Sequence, residues 1–266
     1  MALSHRQHTL VRIRQNQIET TPDYLAVEEP LQLEVNGRPL SITMRTPGDD
    51  KALAIGFLFT EGMIEHMDQV DDVVQKDPNT VNVVSSSGHS LSTVGIERNF
   101  YATSSCGVCG KSSVDQIAAT SKYIPPVGDF QVPPDVLYGL QDQLLTVQKT
   151  FELTGGLHAS ALFDHEGNYL YHSEDVGRHN ALDKLIGHAL MAGRVPLYDH
   201  ILLLSGRASF ELLQKASMAG IPLVAAVGAP STLAVELAQA NTMTLLGFLK
   251  KTGCNIYTHP HRICTA

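Results

Sequence analysis

His200-Ile201-Leu202-Leu203-Leu204-Ser205-Gly206-Arg207-Ala208-Ser209 is the stretch on which the fold turns. Its first half is apolar without alternation, as expected of a strand buried on both faces. Its second half supplies a permissive glycine, two hydroxyls and an arginine where the next helix opens. That helix is predicted from about Ser209 to Ala219 and closes on Gly220, a suitable residue just past a helix end. Working outward, Ile221 to Val227 reads as a second buried strand, Ser231 to Ala240 as a helix, and Thr244 to Leu249 as a third strand, with Asn255 to Thr258 adding another. Upstream, Leu182, Leu185, Ile186, Ala189 and Leu190 form a one-sided stripe over a helix from Arg178 to Ala192. Strands are predicted at Leu157 to Phe163 and Asn168 to His172, after a helix from Asp135 to Thr150 carrying Leu137, Leu140, Leu144 and Val147. Alternation of this kind predicts an α/β class with a largely parallel sheet, helices on both faces and right-handed crossovers. Ligands in such folds gather beyond the carboxyl ends of the strands, which directs attention back to Ser205-Gly206-Arg207.

The first hundred residues follow another grammar. Leu31, Leu33 and Val35 alternate with polar residues, Asn36-Gly37 supplies a type I′ turn, and Leu40, Ile42 and Met44 alternate again, which predicts a hairpin. A helix follows from about Asp49 to Ile64, then two short strands at Val70 to Gln75 and Thr80 to Val84. Residues 1–110 thus read as a β-rich α+β region, 111–134 as a proline-marked connection, and 135–266 as the α/β, cofactor-binding domain. No internal repeat is present.

A chain of 266 residues with 43% hydrophobic and 17% charged residues can bury a sizeable core and is not disordered. Its net charge of −8 argues against nucleic acid or anionic membrane as its main partner. Met1 to Gln15 is basic and lacks an apolar core, so it is not a secretory signal, and no apolar run reaches the length of a membrane span. Four cysteines make no disulfide framework, and the chain reads as cytoplasmic with reduced thiols.

Ser104-Ser105-Cys106-Gly107-Val108-Cys109-Gly110 sets two thiols in a run of small residues and predicts an exposed, reactive loop. Three chemistries share this spacing: metal binding, disulfide exchange and sulfur transfer. Zinc wants four ligands, and Cys254 and Cys264 do not stand at a second-knuckle spacing, although histidines are plentiful. A reactive Cys106 needs amides or a cation such as Lys111 to lower its pKa. Ser205, Gly206 and Arg207 at a helix N-terminus favour a phosphate or pyrophosphate, against the plainer reading of a cap with a solvated arginine. Glu174-Asp175-Val176-Gly177-Arg178-His179-Asn180 crowds Arg178 and His179 into one first turn, more than a cap requires. Thr154-Gly155-Gly156-Leu157-His158 pairs backbone freedom with a proton-exchanging imidazole. Phe248-Leu249-Lys250-Lys251-Thr252-Gly253, at the end of the third strand, offers a ring and two ammonium groups for a nucleobase and phosphate. Tyr257-Thr258-His259-Pro260-His261-Arg262 reads as a cationic clamp or an exposed end.

Taken in order, Arg45-Thr46-Pro47-Gly48, Gly56-Phe57-Leu58 with Glu61-Gly62, the Cys106/Cys109 loop, Thr154 to His158, Glu174 to Ala181, Ser205 to Arg207 and Tyr257 to Pro260 resemble the FdhD family of formate dehydrogenase accessory sulfurtransferases. The resemblance implies a carrier that takes persulfide sulfur from a cysteine desulfurase on Cys106, with Cys109 as its partner. It delivers that sulfur to the molybdenum or tungsten bis(pterin guanine dinucleotide) cofactor of formate dehydrogenase. The resemblance also implies a cytidine-deaminase-like three-layer α/β/α core and a homodimer. The dinucleotide contact carries over to Phe248 through Gly253, and guanosine diphosphate can occupy the same site. Ser205, Gly206, Arg207, Arg178 and His179 are added from the residue reading, and no resident metal is expected. Attack of the Cys106 thiolate on the donor's terminal sulfur would expel the donor cysteine as thiolate, and attack by Cys109 would release the sulfur as sulfide and leave a disulfide. Deamination is disfavoured: His158-Ala159-Ser160 lacks the glutamate that shuttles protons, and the cysteine pair precedes the histidine. A zinc- or cofactor-binding chaperone of the dehydrogenase without sulfur transfer is the alternative.

Overall fold

The structure is a computed structural model that describes residues 3–87, 122–126 and 130–264. The first half holds strands β1 (His5–Arg14), β2 (Gln17–Ala26), β3 (Glu29–Val35) and β4 (Arg38–Arg45), helix α1 (Asp50–Thr60), and strands β5 (Val70–Asp77) and β6 (Thr80–Ser85). The second holds α2 (Pro134–Val147), α3 (Lys149–Thr154), β7 (His158–Asp164), β8 (Tyr169–Asp175), α4 (Arg178–Met191), β9 (His200–Leu204), α5 (Phe210–Met218), β10 (Leu223–Ala226), α6 (Thr232–Ala240), β11 (Thr244–Lys250) and β12 (Gly253–Thr258).

The second half builds one six-stranded sheet in the order β12-β11-β10-β9-β7-β8. It is mixed rather than largely parallel. Only β9, β10 and β11 run parallel, while β7 is antiparallel to both β9 and β8, and β12 to β11. The reason is loop length: parallel neighbours need a crossover of a dozen or more residues, and β7–β8 and β11–β12 are joined by tight turns. In the first of these, the Asp164 carboxylate accepts the backbone amides of Glu166 and Asn168, and Gly167 supplies a φ of 83°. The reversal of β7 places its first residue, His158, at the edge where β9, β10 and β11 end.

Both faces of this sheet are covered. On one, Leu137, Leu140 and Leu144 of α2 pack on Ala161, Phe163, Leu203 and Ala225. On the other, Leu162, Leu202 and Val224 meet α4, α5 and α6 in a core that continues through α1 to the four-stranded sheet β4-β3-β6-β5. Each such leucine contributes about 1.5–3 kcal/mol by leaving water. The β3–β4 hairpin has the type I′ turn read from the sequence, with positive φ at Asn36 and Gly37.

Helices α1 and α4 touch backbone to backbone. A Cβ on Gly56 would lie 1.8 Å from the Asp183 carbonyl oxygen, and one on Gly187 1.9 Å from that of Ala52. Beside this crossing, buried Lys215 of α5 donates to the Thr60 hydroxyl at 2.9 Å and lies 3.0 Å from the Asp183 carboxylate. Burial opposes the charge on Lys215, but the carboxylates of Asp183 and Glu61 outweigh it and hold its pKa above the ordinary value.

Two features depart from the sequence reading. The helix expected over Asp135 to Thr150 divides at Gln148, whose ψ of 71° is not helical, and α3 restarts with the Thr150 and Phe151 amides donating to the Glu174 carboxylate. The N-terminal residues form an antiparallel ribbon, β1–β2, anchored at its base where the Ser4 and Thr150 hydroxyls lie 3.2 Å apart. One of its faces exposes Val11, Ile13 and Ile18, and the other carries Arg6, His8, Arg12 and Arg14.

Candidate functional site

The carboxyl edge of β9–β11 is laid out by consecutive backbone contacts. The Gly228 amide donates to the Gly206 carbonyl at 2.9 Å, and the Phe248 amide to the Gly228 carbonyl at 3.1 Å. These bonds set Ser205-Gly206-Arg207, Val227-Gly228 and Phe248 side by side. A side chain at Gly228 would press on the Arg207 backbone at 2.9 Å, which explains the glycine. Phe248 holds a φ of 53°, and its ring is exposed. The β11–β12 pairing shifts register between Gly247 and Lys250, and Phe248 takes its positive φ within that irregularity.

His158 enters this row from β7. The Ser205 hydroxyl accepts the Ala159 amide at 2.8 Å, and the Ser205 amide donates to the Ala159 carbonyl at 3.0 Å. The imidazole thereby lies over Gly206, where a Cβ would be 3.4 Å from Nδ1. Burial, reinforced by the charge of Arg178, lowers the His158 pKa, so its ring is neutral near pH 7.

Arg178 is the first residue of α4, and its Nε is buried without a hydrogen-bond partner among the described residues. A buried orphan donor on a cation, beside a neutral histidine and at a helix N-terminus, is built for an anion. His179 is buried next to it, its Nε2 3.5 Å from the Ser209 hydroxyl and 3.9 Å from the Glu211 carboxylate. Burial alone would raise the Glu211 pKa, but hydrogen bonds from its own amide and Ser209, with the charges of His179 and Arg178, bring it below the usual value.

The remaining residues of that polar segment serve the fold. The Asp175 carboxylate accepts the Thr46 amide at 3.1 Å and the Gly177 amide at 2.8 Å, and meets Lys184 Nζ at 2.7 Å. Asn180 donates to the Met44 carbonyl at 2.8 Å. The motif's conspicuous polarity therefore divides: Glu174, Asp175 and Asn180 stitch β8 and α4 to α3 and β4, and Arg178 and His179 face the edge. Within Phe248 to Gly253, the Leu249 side chain belongs to the core under α2, Lys251 pairs with Asp142 at 2.8 Å, and Lys250 and Thr252 are exposed.

Cys106, Cys109 and Lys111 lie outside the described residues. Cys254 and Cys264 are free thiols, and burial pushes the Cys254 pKa up. Sequence reasoning missed Gln141, Gln148 and Phe151, which line a cavity beside His158. Glutamines on an amphipathic helix read as surface, so no pattern signals them. No helix among the described residues is long and apolar enough to cross a membrane.

Comparison with known proteins places the chain. The model of the FdhD/NarQ family matches residues 26–264. A protein of Streptomyces avermitilis called sulfur carrier protein FdhD is 50% identical over 96% of this chain and 94% of its own length. The Mycobacterium tuberculosis protein of the same name is 46% identical over 98% and 99%. In three dimensions the chain is similar to a crystal structure from Desulfotalea psychrophila, a protein proposed to be a formate dehydrogenase accessory protein, with a TM-score of 0.77 at 22% identity over 98% of this chain and 100% of that one. With the family model matched across all but the ribbon and the extreme C-terminus, the chain belongs to the FdhD/NarQ family.

Proposed function

We propose that this chain is a sulfur carrier for formate dehydrogenase, accepting persulfide sulfur from a cysteine desulfurase on Cys106 and passing it to a molybdenum or tungsten bis(pterin guanine dinucleotide) cofactor. The cofactor is substrate here, not a resident group. Relatives that carry the sulfur carrier name over nearly their full length support the class of chemistry. The observation that carries the cofactor half is Arg178. Its orphaned buried Nε and the exposed guanidinium of Arg207, flanking His158, fit the diphosphate of a dinucleotide. The exposed, strained Phe248 two strands away fits a stacking partner for a base.

In the loading step the Cys106 thiolate attacks the terminal sulfur of the donor persulfide. The donor S–S bond breaks, its cysteine departs as thiolate, and Cys106 keeps the sulfur as a new persulfide. Cys109 serves as the resolving thiol. Cytoplasmic location, a cytidine-deaminase-like layering and a homodimeric state belong to the same reading. Incubation with a cysteine desulfurase and cysteine, followed by peptide mass analysis, tests it. A reductant-labile adduct of roughly 32 Da, one sulfur atom, on the Cys106 peptide is the expected result. No adduct, with stoichiometric zinc in the native protein, would replace sulfur transfer by a metal-bound chaperone.

A further inference from the structure

The two outer sides of the β1–β2 ribbon are not alike. In an antiparallel ladder, facing residues alternate between pairs that exchange hydrogen bonds and pairs whose amides and carbonyls turn outward. Pro22 faces Thr9 and has no amide hydrogen, and the Tyr24 amide donates to the Asp23 carboxylate at 2.9 Å, so Thr9–Pro22 and Gln7–Tyr24 are outward pairs. On β2 the outer row is largely closed. Pro22 has no donor, its carbonyl accepts the Thr21 hydroxyl at 3.4 Å, the Tyr24 donor is spent on Asp23, and β2 is the strand that lies against α3. On β1 the same alternation turns the amides and carbonyls of Gln7, Thr9, Val11 and Ile13 outward, and no side chain bonds to them among the described residues.

From this asymmetry we infer that the outer edge of β1 is a strand-pairing site for an extended segment of a partner protein, in which acidic residues alternate with apolar or β-branched ones. A strand added there hydrogen-bonds to the outward residues in series and lays alternate side chains on the two faces of the ribbon. One face of β1 presents Arg6, His8, Arg12 and Arg14, and the other Gln7, Thr9, Val11 and Ile13. β1 itself carries no carboxylate: those of the ribbon, Glu19 and Asp23, stand on β2, where Asp23 lies 3.9 Å from Arg12. Arg6 and Arg14 form no ion pair among the described residues. Opposite charges facing each other across a sheet stabilise it and like charges destabilise it, so the row laid against these arginines must be acidic. The same rule disfavours a second copy of β1, because the antiparallel registers that align the outward groups and overlap the strands most fully set Arg6 against Arg12 or against Arg14.

The probe is a short, labelled, capped peptide that alternates glutamate with valine and threonine, titrated with the full chain and read by fluorescence anisotropy. Expected are saturable binding and slowed hydrogen exchange over β1 but not over β2. The same peptide N-methylated at every second residue, on the side that faces β1, should not bind. A lysine version should bind only the variant carrying both Arg6→Glu and Arg14→Glu. Val11→Pro removes one outward amide and should weaken binding about tenfold. Because the N-methylated peptide tests the wild-type ribbon, the result stands even where Val11→Pro opens the ladder. Equal binding of the N-methylated peptide, or of one with the same composition and its glutamates clustered, reduces the contact to charge attraction and overturns the pairing. No saturable binding to the wild-type chain overturns it as well. Association of the wild-type chain in sedimentation that Val11→Pro abolishes would assign the edge to a second copy and overturn the acidic partner.

Discussion

Gly56→Ala tests the α1–α4 crossing on which the two sheets depend. In isolation, alanine in a helix interior is better than glycine by about 1 kcal/mol. Here the added methyl would stand 1.8 Å from the Asp183 carbonyl oxygen, and reaching ordinary contact requires the helices to part by roughly 1.5 Å. Neither side of the contact can swing away, since both are backbone. Parting the helices thins the packing of buried Leu53, Ile55 and Leu58 against α4 and the strands. A gap of 0.5–1 Å already forfeits roughly a quarter to a half of each contact. It also strains the Thr60–Asp183–Lys215 contacts, and a broken buried ion pair costs about 3–5 kcal/mol. Net destabilisation of about 3–5 kcal/mol is expected. Urea denaturation followed by circular dichroism measures it, with Gly139→Ala as internal contrast. Gly139 sits in α2 with open space around its Cβ position, so that variant should gain about 0.5–1 kcal/mol. Gly56→Ala at or above wild-type stability would show that the crossing does not hold the helices in backbone contact.

Three further outcomes are expected. Arg178→Ala should weaken pyrophosphate binding by about tenfold or more while leaving the melting temperature unchanged or raised, because its Nε has no partner among the described residues to lose; calorimetry and thermal denaturation read the two effects. Folding stability should fall as pH drops from 7 toward 5. Burial lowers the pKa of His158, His172, His200 and His261, so the unfolded chain takes up protons there that the folded one refuses; His158→Gln should flatten that slope in urea titrations at stepped pH. Lys215→Ala should cost about 3–5 kcal/mol by stranding the Asp183 carboxylate, and Lys215→Ala with Asp183→Asn should recover part of that loss; a double variant no more stable than the single would refute the pairing.

The sequence disclosed most of the α/β half because periodicity and punctuation agree there: runs such as Ile201 to Leu204, helix stripes such as Leu182 to Leu190, and glycines such as Gly220 all name their elements. It disclosed Ser205 to Arg207 and Phe248 as neighbours through the edge rule for strand ends. It could not separate Arg178 from Asp175, because both are charged residues beside a helix start, and only the partners found in space show that one is stitched to Thr46 and Lys184 and the other is left open. Strand direction was hidden for a similar reason: a strand buried on both faces reads alike in either orientation. The β1–β2 ribbon was illegible because its alternation is weak and its apolar residues do not meet the core.

That ribbon carries the hazard of edge strands in its sharpest form. Being two-stranded, it has no inner strand, and among the described residues each of its strands pairs only with the other, which leaves a row of amides and carbonyls along its outer side. Such a row invites end-on pairing between molecules, the more so beside exposed Val11, Ile13 and Ile18. Pro22, opposite Thr9, carries no amide hydrogen to donate, and the charged face, where Arg6 and Arg14 stand beside an Arg12–Asp23 pair at 3.9 Å, keeps that side of the ribbon hydrated. Replacing Pro22 or the arginines is therefore expected to raise association at high protein concentration before it changes the fold.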